Sequence, residues 1–340
     1  MSKVVCFGEV MGRLCPPGYK KVIQTNNFDV TFAGGEVNVA VSLSNYGVDT
    51  KYVTKLPDND ITILANRIIK GYGVDTRHIV LGGERFGIYY VEKGASQRAS
   101  KVTYDRKYSS ISTAKKEDFD WDEILESATH FHTTGITPAL SDECAKITKE
   151  ALIKCKEKGI TVSLDLNYRN KLWSSEKAKE IISDLLKYVD ICIGNEEDAE
   201  KVLGISCKGT NVTTGELNKE GYTDVAKEIE KTYGCKIVAI TLRESYSASV
   251  NGWSAMLYTN GKSYFSKKYD IQLIDRVGGG DSFVGALLYA LIERNEPQEQ
   301  VEFAVAASCL KHTIEGDFNQ VSIKEVEALM SGDGSGRVQR

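Results

Sequence analysis

The sequence predicts an α/β fold in which helices flank a doubly wound, mostly parallel sheet, with a small second β-sheet inserted early in the chain. Two observations predict this class. Short apolar runs rich in β-branched residues alternate with amphipathic stretches from one end to the other, as in repeated βαβ units. Two early segments, at about 10–33 and 84–111, instead lack a helical period.

The main-sheet strands are predicted from short runs that read as buried on both faces. These runs are 4–7, 52–54, 160–166, 191–193 and 237–242. Apolar positions at helical spacing lie between and after them, over 58–71, 142–158, 176–188, 222–233, 281–294, 298–314 and 323–330. Asp58 is the expected cap of the first of these helices. Ser322 and Glu325 form a capping box before the last.

The early β segments predict a lid. Residues 87–92 and 101–106 read as half-exposed antiparallel strands. A small sheet standing beside the carboxyl edge of a parallel sheet is well placed to cover a site there, and its exposed edges can contact a second copy of the chain. We therefore expect one α/β domain over 1–330 with inserted lid strands, and a flexible Gly- and Ser-containing tail over 331–340.

Composition argues against several classes of protein. The 340 residues are 41% hydrophobic and 26% charged, with a net charge of -4 and no basic block, so nucleic acid and anionic membranes are not expected partners. No stretch approaches the roughly 18 uncharged apolar residues of a membrane span, and the first apolar run is too short for a signal peptide. The eight cysteines have no Cys-x-x-Cys spacing and are expected to be reduced in a cytoplasmic protein.

The strongest chemical signal is the run Ile274-Asp-Arg-Val-Gly-Gly-Gly-Asp-Ser-Phe-Val-Gly285, which leads into an apolar helix. Gly278, Gly279 and Gly280 allow a tight turn and leave backbone N–H groups at the positive end of a helix dipole, where an anion can bind. Asp281 beside them could accept a hydroxyl proton while the N–H groups hold charge on a transferring phosphoryl group. These residues alone leave open a flexible loop followed by an ordinary first-turn aspartate.

This run resembles the Asp-Thr-x-Gly-Ala-Gly-Asp signature of the ribokinase-like (PfkB) sugar kinases, with Asp275, Gly278, Gly280 and Asp281 in matching places. Residues 33–40, Ala-Gly-Gly-Glu-Val-Asn-Val-Ala, resemble the family's N-terminal Gly-Gly-x-x-x-Asn-x-Ala signature. The two motifs stand in the family's order near opposite ends of the chain. The resemblance covers almost the whole chain and implies a ribokinase-like fold whose lid is the early β insert.

Within the family, the motifs are most similar to those of 2-keto-3-deoxygluconate kinases. The matching segments are 8–18, 86–92, 102–106, 165–170 and 312–317. A sugar acid presents a carboxylate, and Arg recognises a carboxylate through bidentate, charge-assisted hydrogen bonds. The resemblance therefore implies ATP-dependent phosphorylation of 2-keto-3-deoxygluconate to its 6-phosphate.

The resemblance also implies the roles of individual residues. Asp281 would be the base at the sugar hydroxyl, and the amides of Gly278, Gly279 and Gly280 would neutralise charge on the γ-phosphate. The implied substrate-binding residues are Gly34, Asn38, Tyr89, Tyr104, Arg106, Arg169 and Asp317. The implied nucleotide-binding residues are Asn195, Thr241, Arg243, Gly278 and Gly280, and Asp198 would act on magnesium through water.

Three positions depart from the family pattern. Asp198 stands where the motif has Glu, which leaves Glu197 as an alternative for the same role. Arg243 stands where many relatives carry Gly, so it either contacts phosphate or faces solvent. Arg276 replaces the Thr of the signature, as is common in the keto-deoxygluconate subgroup.

The implied cofactors are ATP and Mg²⁺, and relatives add a monovalent cation such as K⁺ near Asp275.

Other functions stay open on the sequence. A kinase of the same fold could act on another sugar, such as 2-keto-3-deoxygalactonate or fructose. A non-catalytic sensor of sugar acids is less favoured, because Asp281 and the glycine run are intact. A dinucleotide-dependent dehydrogenase is disfavoured because the first strand lacks a Gly-x-Gly-x-x-Gly fingerprint. We also expect a homodimer or higher homo-oligomer formed through the lid.

Overall fold

The fold was analysed on a computed structural model that describes residues 3–206, 219–332 and 334. Most of the predicted tail over 331–340 lies outside these residues, as does Cys207. The other seven cysteines form no disulfide with one another within the described residues. No helix of the described ranges has the length and apolar character needed to cross a membrane.

The described residues form fourteen strands and eleven α-helices. The strands are β1 (Lys3–Phe7), β2 (Met11–Cys15), β3 (Asp29–Ala33), β4 (Asp49–Leu56), β5 (Ile79–Leu81), β6 (Gly87–Glu92), β7 (Lys101–Asp105), β8 (His130–Thr134), β9 (Thr161–Asp165), β10 (Ile191–Asn195), β11 (Ile237–Ser245), β12 (Val250–Thr259), β13 (Lys262–Phe265) and β14 (Tyr269–Gln272). The helices are α1 (Gly35–Asn45), α2 (Asp60–Gly71), α3 (Trp121–Ile124), α4 (Ile136–Ala139), α5 (Asp142–Glu157), α6 (Ser175–Leu185), α7 (Glu196–Asp198), α8 (Lys219–Tyr233), α9 (Gly279–Glu293), α10 (Pro297–Lys311) and α11 (Ile323–Met330).

The main sheet has ten strands, most of them parallel. Its order is β13-β12-β11-β10-β9-β8-β1-β4-β5, and β14 pairs with β12. All neighbours from β11 to β5 are parallel, whereas β12 pairs antiparallel with β11, β13 and β14. Two apolar cores, one on each face of the sheet, bury the helices against it. The predicted α/β class and doubly wound sheet are confirmed.

The small sheet has the order β3-β2-β6-β7. Its β6 and β7 pair antiparallel, as expected, while β2 and β6 pair parallel. Lid contacts with the main body include a hydrogen bond from the Ser96 amide to the hydroxyl of Ser249 (2.9 Å) and one from the Ala248 amide to the carbonyl of Ser96 (2.8 Å). The early β segments therefore form a separate sheet that touches the main body.

The predicted helices are present, with one error in detail. The cap of α2 is Asn59 and not Asp58, because the Asn59 side chain accepts hydrogen bonds from the amides of Ile61 and Thr62 at 3.1 Å. The buried side chains of this helix are Thr62, Ala65 and Ile69, whereas Ile61 is 49% exposed.

Arg13 ties the small sheet to the main body. Its guanidinium, only 2% exposed, contacts the carboxylates of Asp275 (2.6 Å) and Asp317 (2.5 Å). Burial would lower the pKa of Arg13, but the charges of Asp317 and Asp275 outweigh it and raise the pKa above its ordinary value. Because β2 carries Arg13 and the two aspartates flank the glycine turn, this triad fixes the lid over that turn.

Removing the Arg13 charge is expected to destabilise the protein by about 3–5 kcal/mol, because two buried carboxylates lose their shared partner. The variant is Arg13→Met, and the measurement is urea unfolding followed by fluorescence. Arg77→Met is the matched control, since its guanidinium is 77% exposed in a pair with Asp75, and loss of this exposed pair should change stability far less. Equal losses in the two variants would contradict the buried-triad interpretation.

Candidate active site

The glycine run forms the turn that begins α9. Gly278 caps the helix with φ +79°, and a side chain there would lie 2.2 Å from the backbone oxygen of Asp317. A side chain on Gly279 would strike the ring of His312 at 2.3 Å, whereas one on Gly280 would meet open space. The first amides of α9 have no acceptor within the helix. The turn therefore requires glycine at 278 and 279, and it presents N–H groups to the space beside Gly280.

Asp281 lies in the first turn of α9 and accepts a hydrogen bond from the side-chain amide of Asn38 at 2.6 Å. Asn38 in turn accepts from the amide of Gly34 at 3.3 Å, so both family motifs meet at this carboxylate. Burial, followed by the charge of Asp317, raises the pKa of Asp281 to about 6 against the opposing effect of the Asn38 hydrogen bond. A carboxylate with this pKa is suited to accept a proton near neutral pH.

Two adjoining cavities lie at the carboxyl edge of the parallel strands. The first has a volume of about 610 Å³, and its lining includes Asp281, Gly278, Gly280, Asn195, Asp198, Thr241, Arg243, Tyr104 and Arg169. The second has a volume of about 950 Å³ and is lined by Tyr104, Arg106 and Arg169 among others. The two cavities therefore meet at the lid residue Tyr104 and at Arg169. This is the edge where open parallel sheets commonly bind ligands.

Of the two predicted carboxylate-binding arginines, Arg106 is engaged by the protein. Arg106 is buried, and its guanidinium forms an ion pair with Glu9 while its charge lies 5.4 Å from the centre of the Tyr104 ring. Arg169 is exposed at the junction of the two cavities, and no carboxylate of the described residues lies within ion-pair distance of it. One Arg169 nitrogen donates to the carbonyl of Tyr168 at 3.4 Å, and without an acidic partner its charge is available to an acid from solution.

Tyr89 and Asp317 were both predicted to bind substrate, and in the structure they contact each other. The Tyr89 hydroxyl donates to Asp317 at 2.9 Å, and both residues are buried behind the cavity wall. Burial, together with the charge of Asp317, raises the pKa of Tyr89 well above its usual value. Tyr104 stacks near Tyr89, with ring centres 6.1 Å apart, and is the aromatic side chain of this pair that faces the cavities.

On the opposite side of the first cavity, Asn195 and Asp198 cap the short helix α7. The Asn195 side chain accepts from the amide of Asp198 at 2.9 Å. The two carboxylate oxygens of Asp198 accept from the amides of Tyr168 (2.9 Å) and Asn195 (3.3 Å). Asp198 is buried with both oxygens engaged, so any contact of this carboxylate with a metal ion must be shared with these hydrogen bonds.

Arginine side chains supply positive charge to the same cavity. Arg243 lies over the ring of Trp253 at 4.8 Å, and Arg276 also lines the cavity. Burial in the cavity wall lowers the pKa of Arg243 to about 10, and the charge of Arg276 adds to the shift. Thr241 contributes its hydroxyl, 3.5 Å from the carbonyl of Gly194. Two arginines in one cavity wall are favourable for a polyanion such as a phosphate chain, although the charge of Glu196 also acts on Arg243.

Glu196 is the carboxylate of this region with a free oxygen. Its Oε2 atom is buried without a hydrogen-bond partner, and burial raises the pKa of the side chain. Within the described ranges, no cluster of three or more His, Cys, Asp or Glu side chains could hold a metal ion on its own. The residues present therefore fit a magnesium ion that is held mainly by phosphate oxygens and water, with Glu196 and Asp198 nearby.

Sequence reasoning missed five charged residues of the region, which are Glu9, Arg13, Asp165, Glu196 and Lys311. Asp165 lines the first cavity, and burial, followed by the charges of Asp198 and Asp281, raises its pKa well above the ordinary value. Three of the five lie in segments whose resemblance to the subgroup was already visible, 8–18 and 165–170. Lys311 had no motif; its signal was a charge directly after the mostly apolar run 303–310.

Comparisons with known proteins agree with this geometry. A family model described as "pfkB family carbohydrate kinase" matches residues 1–322. A 2-dehydro-3-deoxygalactonokinase of Haloferax volcanii is 32% identical over 335 residues, which is 98% of both chains. A 2-dehydro-3-deoxygluconokinase of Thermoproteus tenax is 26% identical over 337 residues, or 97% of this chain and 94% of that one.

A solved structure is more similar still. The crystal structure of a 2-dehydro-3-deoxygluconokinase from Thermotoga maritima is 52% identical and superposes with a TM-score of 0.94 over 97% of this chain and 98% of that chain. Together with the family model, this similarity covers both the glycine turn with Asp281 and the Gly34–Asn38 motif that meets it. On these grounds the chain belongs to the pfkB family of carbohydrate kinases.

Proposed function

We propose that this protein is an ATP-dependent kinase that phosphorylates 2-keto-3-deoxygluconate, also named 2-dehydro-3-deoxygluconate, to its 6-phosphate. The observation that carries the proposal is the meeting of Asp281, the free amides of the glycine turn and the unpaired Arg169 along one cavity edge. The solved relative from Thermotoga maritima carries the same activity in its name. This reaction needs a base, a site for the transferring phosphoryl group and a residue that binds the substrate carboxylate.

The proposed chemistry is an in-line phosphoryl transfer. The primary hydroxyl oxygen of the sugar acid forms a bond to the γ-phosphorus while the bond to the bridging oxygen of ATP breaks, and ADP leaves. Asp281 accepts the hydroxyl proton, and Asn38 holds the Asp281 carboxylate in place. The amides of Gly278, Gly279 and Gly280 stabilise the charge that builds on the transferring group.

The nucleotide would lie along the arginine side of the first cavity. Arg243 and Arg276 would compensate its phosphates. Asn195 ends β10, and Thr241 lies opposite it in the middle of β11, and both line the same cavity. Magnesium, when bound, neutralises charge on the phosphates, and Asp198 or Glu196 would order its water ligands. The resemblance also implied K⁺ near Asp275, but the backbone carbonyls of Asp275 and Val277 already accept from the Lys311 ammonium, so these two oxygens do not fit a K⁺ ion as well.

The small sheet is proposed to act as a lid and as the contact surface of a homodimer or higher oligomer. Tyr104 reaches from β7 into both cavities, so movement of this edge strand, with β2 held in place by Arg13, would admit water to the reacting groups or exclude it. Its surface carries the exposed apolar side chains of Tyr19, Ile23 and Val30. We also propose a single domain over 1–330 and a cytoplasmic location.

Phosphorylation of the epimer 2-keto-3-deoxygalactonate is the second candidate, favoured by the name of the Haloferax volcanii relative at 32% identity. The first test follows magnesium-dependent ATP turnover with both keto-deoxy acids, fructose and ribose, and compares kcat/KM. We expect at least a tenfold preference, about 1.4 kcal/mol, for one keto-deoxy acid over the neutral sugars. Turnover with a neutral sugar alone would overturn the sugar-acid assignment, and turnover with none would favour a sensor.

Asp281→Asn is expected to lower kcat by about 10²–10⁴-fold while sugar binding is retained, because the amide keeps the contact to Asn38 but accepts no proton. In the unaltered protein, kcat/KM should fall about tenfold per pH unit below about 6, where Asp281 becomes protonated. Steady-state kinetics from pH 5 to 8 and calorimetry of sugar binding check both results. A pH profile flat through 6, or a fully active variant, would remove Asp281 from the role of base.

Arg169→Ala is expected to raise KM for the sugar acid by about thirtyfold, equivalent to roughly 2 kcal/mol for a lost charge-assisted hydrogen bond. KM for ATP should be unchanged. Arg106→Ala should also lose affinity, but it leaves Glu9 buried without its partner and so loses stability as well. Thermal unfolding separates the two effects. If neither variant changes the kinetics with the acid, the protein does not recognise the carboxylate through these arginines.

A further inference from the structure

Lys311 is a fully buried lysine whose charge is not used by any step above. It ends α10, is 0% exposed, and no carboxylate of the described residues lies in ion-pair distance of its ammonium. The ammonium instead donates to the backbone carbonyl of Val277 and to that of Asp275 at 3.5 Å. A buried charge is costly, and an uncharged side chain would fill the same space more cheaply. The cost of burying the Lys311 ammonium therefore indicates that its charge has a function.

The two acceptor carbonyls belong to the turn that presents the anion site. Val277 immediately precedes Gly278, the cap of α9. The end of α10 holds this turn by further contacts: the Ser308 hydroxyl donates to the carbonyl of Gly279 at 2.7 Å, and the carbonyl of His312 accepts from the amide of Asp275 at 3.2 Å. The carbonyls of Asp275, Val277 and Gly279 thus all accept from side chains of α10, and Lys311 is the charged donor of this set.

The Asp275 carboxylate has no need of a free cation. One of its oxygens accepts from Arg13 at 2.6 Å and from the amide of Gly316 at 3.2 Å, and the other accepts from the amide of Val277 at 3.2 Å. The backbone carbonyl of Asp275 is left to Lys311. Carbonyl oxygens that converge on one point are the ligands that replace water around a monovalent cation, and an ammonium group meets the same oxygens through its N–H donors.

We propose that Lys311 is a built-in monovalent cation: its ammonium binds the carbonyls of Asp275 and Val277, positions the glycine turn, and makes phosphoryl transfer independent of dissolved K⁺. The inference rests on the proposed kinase function. Lys311 is a positioning residue, since it acts on the γ-phosphate only through the turn. Its charge also opposes the burial that raises the pKa of Asp281, which keeps more of the base ionised.

The first experiment compares turnover of the unaltered protein in chloride salts of tetramethylammonium, K⁺ and NH₄⁺ at about 0.1 M, where ionic screening is equal. ADP is measured directly by chromatography, so that no coupling enzyme with its own cation requirement enters the assay. We expect the same kcat in all three salts. A tenfold or larger loss in tetramethylammonium, about 1.4 kcal/mol, would overturn the proposal.

Lys311→Ala removes the ammonium and leaves space for an ion. In tetramethylammonium its kcat should fall about a hundredfold, the scale of a misplaced reacting group, with little change in KM for the sugar. NH₄⁺ or K⁺ should raise the kcat of Lys311→Ala at least tenfold above its value in tetramethylammonium, which corresponds to about 1.4 kcal/mol. Lys311→Met fills the space without charge and should stay slow in every salt. Full activity of Lys311→Ala in tetramethylammonium, or no rescue of a folded variant, would contradict the proposal.

Lys51 supplies the matched control. It is also buried, and its ammonium also donates to a backbone carbonyl, that of Ile124 at 2.6 Å, but it lines neither cavity. Lys51→Ala should lose stability without any salt-dependent recovery of kcat. Rescue of this variant to the same extent would make the effect non-specific and sink the inference.

Two further readouts keep the test independent of folding and of the sugar. If circular dichroism shows that Lys311→Ala is unfolded, the proposal is tested by the kcat of Lys311→Met and by the kcat of the unaltered protein in the three salts. If no sugar is turned over by the unaltered protein, the proposed function fails, and ADP affinity by calorimetry takes the place of kcat. NH₄⁺ should then strengthen ADP binding to Lys311→Ala and not to Lys51→Ala, and equal responses would overturn the role of Lys311.

Discussion

The structure depends on one buried guanidinium. Arg13 lies between the carboxylates of Asp275 and Asp317, and the Tyr89 hydroxyl completes the group from the neighbouring lid strand. A buried ion pair contributes stability only when every partner is satisfied. The native structure therefore requires the segments that carry Arg13, Asp275 and Asp317 to come together. This requirement fixes the lid, the turn before α9 and the loop after α10 relative to one another.

The same arrangement decides the charge at the reacting carboxylate. Burial and the charge of Asp317 favour protonation of Asp281, and the charge of Asp281 in turn raises the pKa of the neighbouring Asp165. Arg169 and Lys311 oppose them from the cavity and from the protein interior. The balance gives a carboxylate whose pKa is high for an aspartate and still below neutrality. Such a group is a stronger base than a solvated aspartate and remains ionised under ordinary conditions.

The two arginines that were predicted to bind the substrate carboxylate differ in their surroundings. Arg106 is paired with Glu9 and packed against Tyr104, so it shapes the wall and adds little net charge. Arg169 is unpaired and exposed at the junction of the cavities, so its charge is available to an anionic ligand. An acid entering the second cavity would therefore meet the positive charge of Arg169, with Lys107 and Lys171 also in the cavity wall, which favours a sugar acid over a neutral sugar.

The sequence by itself determined the α/β class, most strand and helix positions, the lid strands and the position of the glycine turn before Asp281. These follow from local periodicity and turn chemistry, which depend on neighbouring residues. It did not reveal α1, because that helix is buried along nearly its whole length and has no polar stripe, nor the antiparallel strands β12 to β14.

Only the tertiary structure decided which charged side chains meet. Arg13 and Asp317 are 304 positions apart, Glu9 and Arg106 are 97 apart, and Lys311 reaches the carbonyl of a residue 34 positions earlier. Each contact depends on how strands and loops from distant parts of the chain are stacked, and no local pattern encodes that distance. The free Arg169, the engaged Arg106 and the buried Lys311 cation are therefore properties of the fold, because pairing and desolvation are set by packing in three dimensions.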